Sequence, residues 1–459
     1  MLGTVTKGLV FGRPLSAHRR LLAQIAAASV PAMALLGIQQ LTAAGLSFFL
    51  VFLLLISYHL LRRDHKSMMC VTIGCMPLLM LLRNSLSYNS VEIIVALCVA
   101  VWFIQEPADL KRAFSSVLMV LFSVFVVVYW LLSFARTGDY SSNLRAFELL
   151  LTALGIRLLG RYRSYLGTAF LGIAISTFAM GLAFARYGDR LGTAEIDGEK
   201  MGNPISFGIP IALIFLLSLA ERGRWLMLQG KTVPRVALNI GAGILLLLST
   251  SRGSWAAVSC GLVVLLVGQR NRGRLIRYLG LIALAVTIWF NFVDSAILDK
   301  YIFKTFEDQN YWSAETNARV AQWEAFPRAF ADSPVWGFGP GMGKAVSIQY
   351  SGHSLIWHAL YLHITIECGS IGAALLAAFL LTIVVRSIQY ARKTGELIPL
   401  LGIVGFIVVG CTIPAIDGAS GLFLGCGLLS FETSRLFVTR SITREAPSGT
   451  LVPRTAMSS

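Results

Sequence analysis

The 459-residue sequence predicts an all-α, polytopic integral membrane protein with about 12–14 membrane segments, and three observations carry that expectation. Hydrophobic residue types make up 56% of the chain and charged types 14%, where soluble domains carry about 25% charged residues. Apolar runs such as 41–61, 117–134 and 236–248 are continuous rather than alternating, which suits helices and excludes the ~10-residue strands of a transmembrane barrel. With the N-terminus placed in the cytoplasm, about two thirds of the 39 Lys and Arg fall on alternate, cytoplasmic segments. Soluble, disordered and fibrous classes are thereby excluded.

In chain order the candidate spans are 20–38, 41–61, 67–83, 88–104, 112–134, 145–160, 164–185, 203–220, 235–250, 254–269, 275–293, 356–385, 397–414 and 419–435. Several fall short of the ~20 residues a crossing needs, so some are read as half-helices or re-entrant segments. Arg13, Arg19 and Arg20 precede the first span, and further apolar segments follow at once, so it is read as an uncleaved helix rather than a signal peptide. The basic segments are the N-terminal arm, 62–66, 111–112, 157–163, 222–235, 270–277, 386–393 and 435–444, which places both termini inside. The net charge of +16 then reflects topology and contact with anionic membrane lipids, with no nucleic-acid partner. Cys70, Cys75, Cys98, Cys260, Cys368, Cys411 and Cys426 sit in apolar segments without a CxxC pair, so neither a disulfide framework nor a zinc site is expected.

Three polar segments fall on the outer side: 186–203, 250–254, and about 60 residues from Asp294 to Ser354. The chain thus divides into N-terminal membrane helices (1–293), a large outer loop with helices and a Gly-rich segment (294–355), and C-terminal membrane helices (356–444). The run Leu451-Val452-Pro453-Arg454 reads as the remnant of an appended protease-cleavage site, which sets 447–459 apart from the fold. No internal repeat of the kind that builds inverted transporters is evident.

The outer segments hold the residues suited to chemistry. A helix is expected near 314–326, disturbed or ended at Pro327, with Arg319, Trp323 and Phe326 on one face, either for a ligand or for packing. The glycines and prolines of 333–343, Gly339 and Gly341 among them, let backbone approach a ligand closely or simply form a surface turn. His353, His358 and His363 recur at i, i+5, a spacing that turns each about 140° from the last and does not suit a metal on one helical face. His363 and Glu367 do stand at i, i+4, yet a pair makes no metal site. One working imidazole at the point where the loop enters the membrane fits better. Arg252, in a Ser/Thr/Gly-rich turn between apolar spans, suits an anion, and its guanidinium matches a phosphate. Arg319 is a second candidate, and Arg186 or Arg190 a third. Asp189, Glu195, Asp197 and Glu199 read as solvated charges. A base, outward arginines and a Gly-rich loop at a lipid boundary suit transfer from a lipid-linked anionic carrier, and without a P-loop no ATP is implied.

At these residues the sequence resembles the O-antigen ligase and polymerase superfamily of bacterial envelope glycosyltransferases. The resemblance rests on many apolar spans, a long outer loop late in the chain, the turn Ser251-Arg252-Gly253, and the loop pattern Arg319, Trp323, Pro334 and Gly337-Phe338-Gly339-Pro340-Gly341. O-antigen ligases also resemble one another in a histidine followed by Asn, Ser or Gln, nine residues, G-x-x-G, and Thr or Val. Here His358 stands eleven residues before Gly369, and Gly369-Ser370-Ile371-Gly372 completes the spacing. Ala359 and Ala373 depart from the pattern; His353 has Ser354 after it but not the spacing. The likeness is strong over 185–375 and compositional elsewhere.

The resemblance implies a ligase that moves O-antigen from undecaprenyl diphosphate to lipid A–core oligosaccharide during lipopolysaccharide assembly. The reaction would need no nucleotide, metal or other cofactor, and would occur at the periplasmic face of the bacterial inner membrane. It implies His358 as general base, with Arg252 and Arg319 on the diphosphate, Arg190 adding to that clamp, and Trp323, Gly339 and Gly341 shaping the sugar end. An O-antigen polymerase is the near alternative. The branch that glycosylates protein is disfavoured because its extra outer domain near the C-terminus does not appear in this chain. A transporter of lipid-linked sugars is the alternative of another class, and would place charges at mid-membrane depth along several helices.

Overall fold

A computed structural model of the chain describes residues 14–36, 41–82, 90–114, 116–138, 145–187, 194–196, 199–201, 204–228, 230–249, 251–268, 272–292, 309–354, 356–414 and 417–432. The first half comprises α1 (Pro14–Leu36), α2 (Leu41–Leu61), α3 (His65–Gly74), α4 (Met76–Leu82), α5 (Ser90–Gln105), α6 (Pro107–Ala113), α7 (Val117–Thr137), α8 (Arg145–Gly160) and α9 (Arg163–Tyr187). An antiparallel hairpin, β1 (Ala194–Ile196) and β2 (Glu199–Met201), interrupts the helices, with Glu195 opposite Lys200. Then come α10 (Pro204–Leu219), α11 (Thr232–Leu248), α12 (Arg252–Gly268), α13 (Arg272–Phe292), α14 (Gln309–Asp332), α15 (Gly343–Ser351), α16 (Leu360–Thr394), α17 (Ile398–Gly410) and α18 (Gly418–Leu428). Among the described residues each of the fourteen candidate spans is mostly helical; 67–83 divides at Cys75, and 112–134 takes in the junction of α6 and α7.

The protein is a polytopic helical membrane protein. Among the described residues four helices are long and apolar enough to cross a membrane, within 43–61, 117–137, 163–181 and 360–394. The bent pair α5 and α6, at 114°, makes a fifth if taken as one span, and six shorter apolar helices accompany them. The interior is packed through small residues, as expected where lipid offers no competing hydrophobic force. On α18, Gly421 and Gly425 face α8 so closely that a Cβ would lie 2.8 Å from the Leu149 carbonyl oxygen or the Ile156 Cβ. Across α7 and α16, Phe122 and Phe379 stack with centroids 4.1 Å apart.

Opposite charges collect at one end of the bundle. Arg163 and Arg224 share Glu396 at 2.6 and 3.5 Å, Arg161 and Arg112 share Asp109, and Lys66 lies 3.9 Å from Glu106. Arg157, buried on α8, donates to the terminal carbonyls of α6 at Ala113 (2.6 Å) and Arg112 (3.2 Å), and pairs with Glu432 at 3.2 Å. A cation there satisfies acceptors that a helix end leaves open. Arg157→Met is therefore expected to destabilise the protein by about 1–3 kcal/mol, read as a lowered Tm in detergent, because it removes the closer partner of Glu432 and the donor to the buried Ala113 carbonyl.

These contacts join the segments that the charge asymmetry placed on the cytoplasmic side. Three helices lead from this layer to the opposite end. α7 begins just after α6, α12 ends at Gly268 against Leu397, and α16 ends beside Glu396. Their far ends carry Arg136, Arg252 and the segment around His358.

Candidate active site

Within 294–355, α14 runs through Pro327 to Asp332, so the helix expected to be disturbed or ended at Pro327 does not end there. Pro327 and Trp323 are both solvent-exposed, and the carbonyl that loses its N–H partner can turn to water. The face that packs is Ala318, Gln322, Ala325 and Ala329, one position off the anticipated stripe of Arg319, Trp323 and Phe326. Trp323 is 62% exposed, while Arg319 and Phe326 are half-buried. A small core of Ala325, Ala329, Val346, Trp357 and Ile366 holds α14 and α15 to the start of α16. Tyr350 on α15 donates to Asp332, and that bond raises the Tyr350 hydroxyl above its ordinary pKa.

Gln322 fixes the segment that bears His358. Its Oε1 accepts the His358 N–H at 3.1 Å, and its Nε2 donates to Ser347 Oγ at 3.0 Å and to the Ile356 carbonyl at 3.3 Å. The His358 Nδ1 lies 3.0 Å from the Ile356 carbonyl, a geometry that assigns the proton to Nδ1 and the lone pair to Nε2. Ala359 follows with φ 88°, a conformation that a non-glycine residue adopts only under strain, before α16 begins. His353 comes just after the end of α15, its N–H 3.4 Å from Ser351 Oγ. Gln322 carried no signal in the sequence beyond its place between Arg319 and Trp323.

The Gly-rich loop enters a break in α16. Gly369 has φ 64° and ψ −165°, a region open essentially to glycine. The helix opens there, and the loop backbone occupies the gap. Phe338 N–H donates to the Ile366 carbonyl (2.9 Å), Gly339 N–H to the Glu367 carbonyl (2.8 Å), and Ser370 N–H to the Pro334 carbonyl (2.8 Å). Gly339 (φ 101°) and Gly341 (φ 83°) lie on α7, where side chains would run into the Arg136 guanidinium and Ser133. Arg136 in turn donates to the Phe338 carbonyl.

Beneath the loop, Glu367 is 1% and His363 7% exposed. Glu367 accepts from the Tyr129 hydroxyl of α7 and, at 2.7 Å, from the Gly343 N–H that opens α15. Below them α7, α8, α16 and α17 line an apolar cleft with Phe122, Phe125, Tyr129, Leu360, Ile364 and Phe406 among its walls.

Arg252 is the exposed first residue of α12, and the polar character of its turn has a packing cause. Ser251 and Ser254 are buried and bonded to each other at 2.8 Å against Gly208, and Gly253 sits on Thr412. Arg190 lies outside the described residues, as do Asp189 and Asp197. The described part of the site therefore brings together His358, α14 with Arg319 and Trp323, and the Gly-rich loop, at the end of the bundle where Arg252 also lies. Among the described residues no group of three or more His, Cys, Asp or Glu is placed to hold a metal ion.

Residues 237–377 match the family model described as O-antigen ligase. That stretch is similar to the O-antigen ligase family; it runs from α11 to the middle of α16, and so contains Arg252, Arg319, Trp323, the Gly-rich loop, His358 and the Gly369 break. A search of curated proteins returns no match. The likeness over this stretch supports O-antigen ligase/polymerase-type activity of a glycosyltransferase-like class, with polysaccharide and lipid-linked substrates in general.

Proposed function

We propose that the protein is an O-antigen ligase that transfers O-antigen polysaccharide from undecaprenyl diphosphate to lipid A–core oligosaccharide, at the periplasmic face of the bacterial inner membrane. The observation that carries the reading is the clamp on His358. Its backbone is held by the helix that bears Arg319, and its Nδ1 is engaged by the Ile356 carbonyl, which leaves Nε2 as the basic atom.

In this mechanism the acceptor hydroxyl oxygen attacks the anomeric carbon of the donor sugar, and its proton passes to His358 Nε2. The bond from that carbon to the diphosphate oxygen breaks, and the electron pair departs on the diphosphate. Arg252 and Arg319 hold the diphosphate and offset the charge that develops on it. Arg190 adds to that clamp. Trp323 offers an exposed aromatic face to the sugar, and Gly339 and Gly341 bring loop backbone close to it. Attack opposite the leaving group inverts the anomeric centre. The apolar cleft between α7 and α16 suits the hydrocarbon end of a lipid substrate.

Arg319→Lys is expected to lower kcat/KM by about tenfold or more, since an ammonium keeps the charge but loses the two-pronged fork. Wild-type rates in that variant would remove Arg319 from the mechanism. The function itself is tested with purified protein, undecaprenyl-diphosphate O-antigen and lipid A–core, without ATP and with chelator. A core band shifted upward by the O-antigen supports the ligase. Longer carrier-linked chains beside unmodified core identify a polymerase, and uptake into vesicles without product identifies a transporter.

A further inference from the structure

A carboxylate as deeply buried as Glu367 is expensive at membrane depth unless its oxygens are bonded, and both of them are. Oε2 accepts the Tyr129 hydroxyl, and Oε1 accepts the Gly343 N–H at 2.7 Å. His363, one turn earlier on α16, places Nε2 3.3 Å from the Tyr129 oxygen and 3.6 Å from Oε2. With Nε2 protonated, the donors run from His363 to Tyr129 to Glu367, and the carboxylate terminates the chain. The His363 ring also lies against Gly343, where a Cβ would come within 2.9 Å of it.

The Gly343 N–H belongs to the first turn of α15, whose donors have no partner inside the helix, and the N-cap residue Met342 supplies no side-chain cap. Glu367 supplies that cap from another helix. The consequence reaches His358 through a short chain of hydrogen bonds. α15 carries Ser347, Ser347 accepts from Gln322, and Gln322 accepts the His358 N–H. Moving the start of α15 moves Ser347, and with it the orientation of the amide that clamps the histidine.

The geometry points to Glu367 as a positioning residue. It locks α15 to α7 and α16 and thereby sets His358 through Ser347 and Gln322. Glu367 touches no reacting atom in this scheme, and its role rests on the transfer reaction proposed above, with His358 as base.

The experiment uses the full chain in detergent and follows two readouts, transfer kinetics and backbone hydrogen exchange over residues 335–361. In Glu367→Ala, exchange is expected to quicken in peptides covering 343–347 and 356–358. The kcat should fall by about tenfold or more while the donor KM stays within about threefold, as for a misplaced rather than missing group. Glu367→Gln should restore both, because its amide oxygen still accepts the Gly343 N–H and its NH₂ can donate to the Tyr129 oxygen. Gly343→Ala keeps Glu367 but sets a methyl 2.7 Å from Oε1, and it should reproduce the Ala phenotype from the other side of the contact. Unchanged exchange in both Glu367→Ala and Gly343→Ala overturns the lock. Restored exchange without restored activity in Glu367→Gln also overturns it, since the carboxylate would then act in the chemistry. Quickened exchange in a protein whose wild type makes no product supports the lock and defeats the proposed reaction instead.

Discussion

His358→Ala is expected to fold, insert and bind both lipids, and to lose about 10²–10⁴-fold in kcat, the range contributed by a positioned general base. The prediction separates chemistry from structure because the clamp uses the His358 backbone N–H, which alanine keeps, so Gln322 retains its partner. The imidazole itself is only half-buried, and its removal leaves little unfilled core. His353→Ala is expected to stay within about threefold of wild type, since the His353 N–H meets Ser351 Oγ rather than Gln322 and a substitution at a part-exposed position typically changes little. The comparison is made by gel shift of lipid A–core under identical donor concentrations. A reversal of the two phenotypes would move the base to His353, and two active variants would end the general-base mechanism.

Gly369→Ala should act through the fold rather than the chemistry. A Cβ there would press into the Val335 carbonyl, and alanine would have to adopt φ 64° and ψ −165°. A non-glycine residue in this region costs roughly 1–3 kcal/mol and overpacking roughly 1–3, so a loss of about 3 kcal/mol is expected as a lowered Tm in detergent. Activity should fall with it, because the displaced loop can no longer pair with the Ile366 and Glu367 carbonyls. An unchanged Tm in Gly369→Ala would show that the break does not depend on glycine.

The helices were legible because burial in lipid demands continuous apolar runs, and a run such as 41–61 coincides with α2 from end to end. The Gly369–Gly372 pair was also visible, as a spacing from His358, but not its physical meaning. A break in a helix filled by backbone from a loop some thirty residues earlier leaves no local pattern. α14 shows the limit of local rules more plainly. Pro327 is a sound reason to end a helix, and it lost to the packing of Ala325 and Ala329 on either side of it. Gln322 and Tyr129 were missed because each acts across the fold, Tyr129 on a residue 238 positions away. His363 and Glu367 were noticed as an i, i+4 pair, yet a pair in one helix does not announce the backbone N–H it holds. Arg252 opens α12, and its serine and glycine neighbours answer to helix packing.

The seam between the loop and α16 has a bearing on biogenesis. An opened helix cannot enter hydrocarbon with bare carbonyls and amides, because lipid offers them no substitute partner. The groups that complete it come from residues 334–339, which the ribosome delivers first. In the proposed topology, translocation of 294–355 is thus a precondition for inserting the helix that follows, and the His358 segment between them is assembled by the same event that seats the helix.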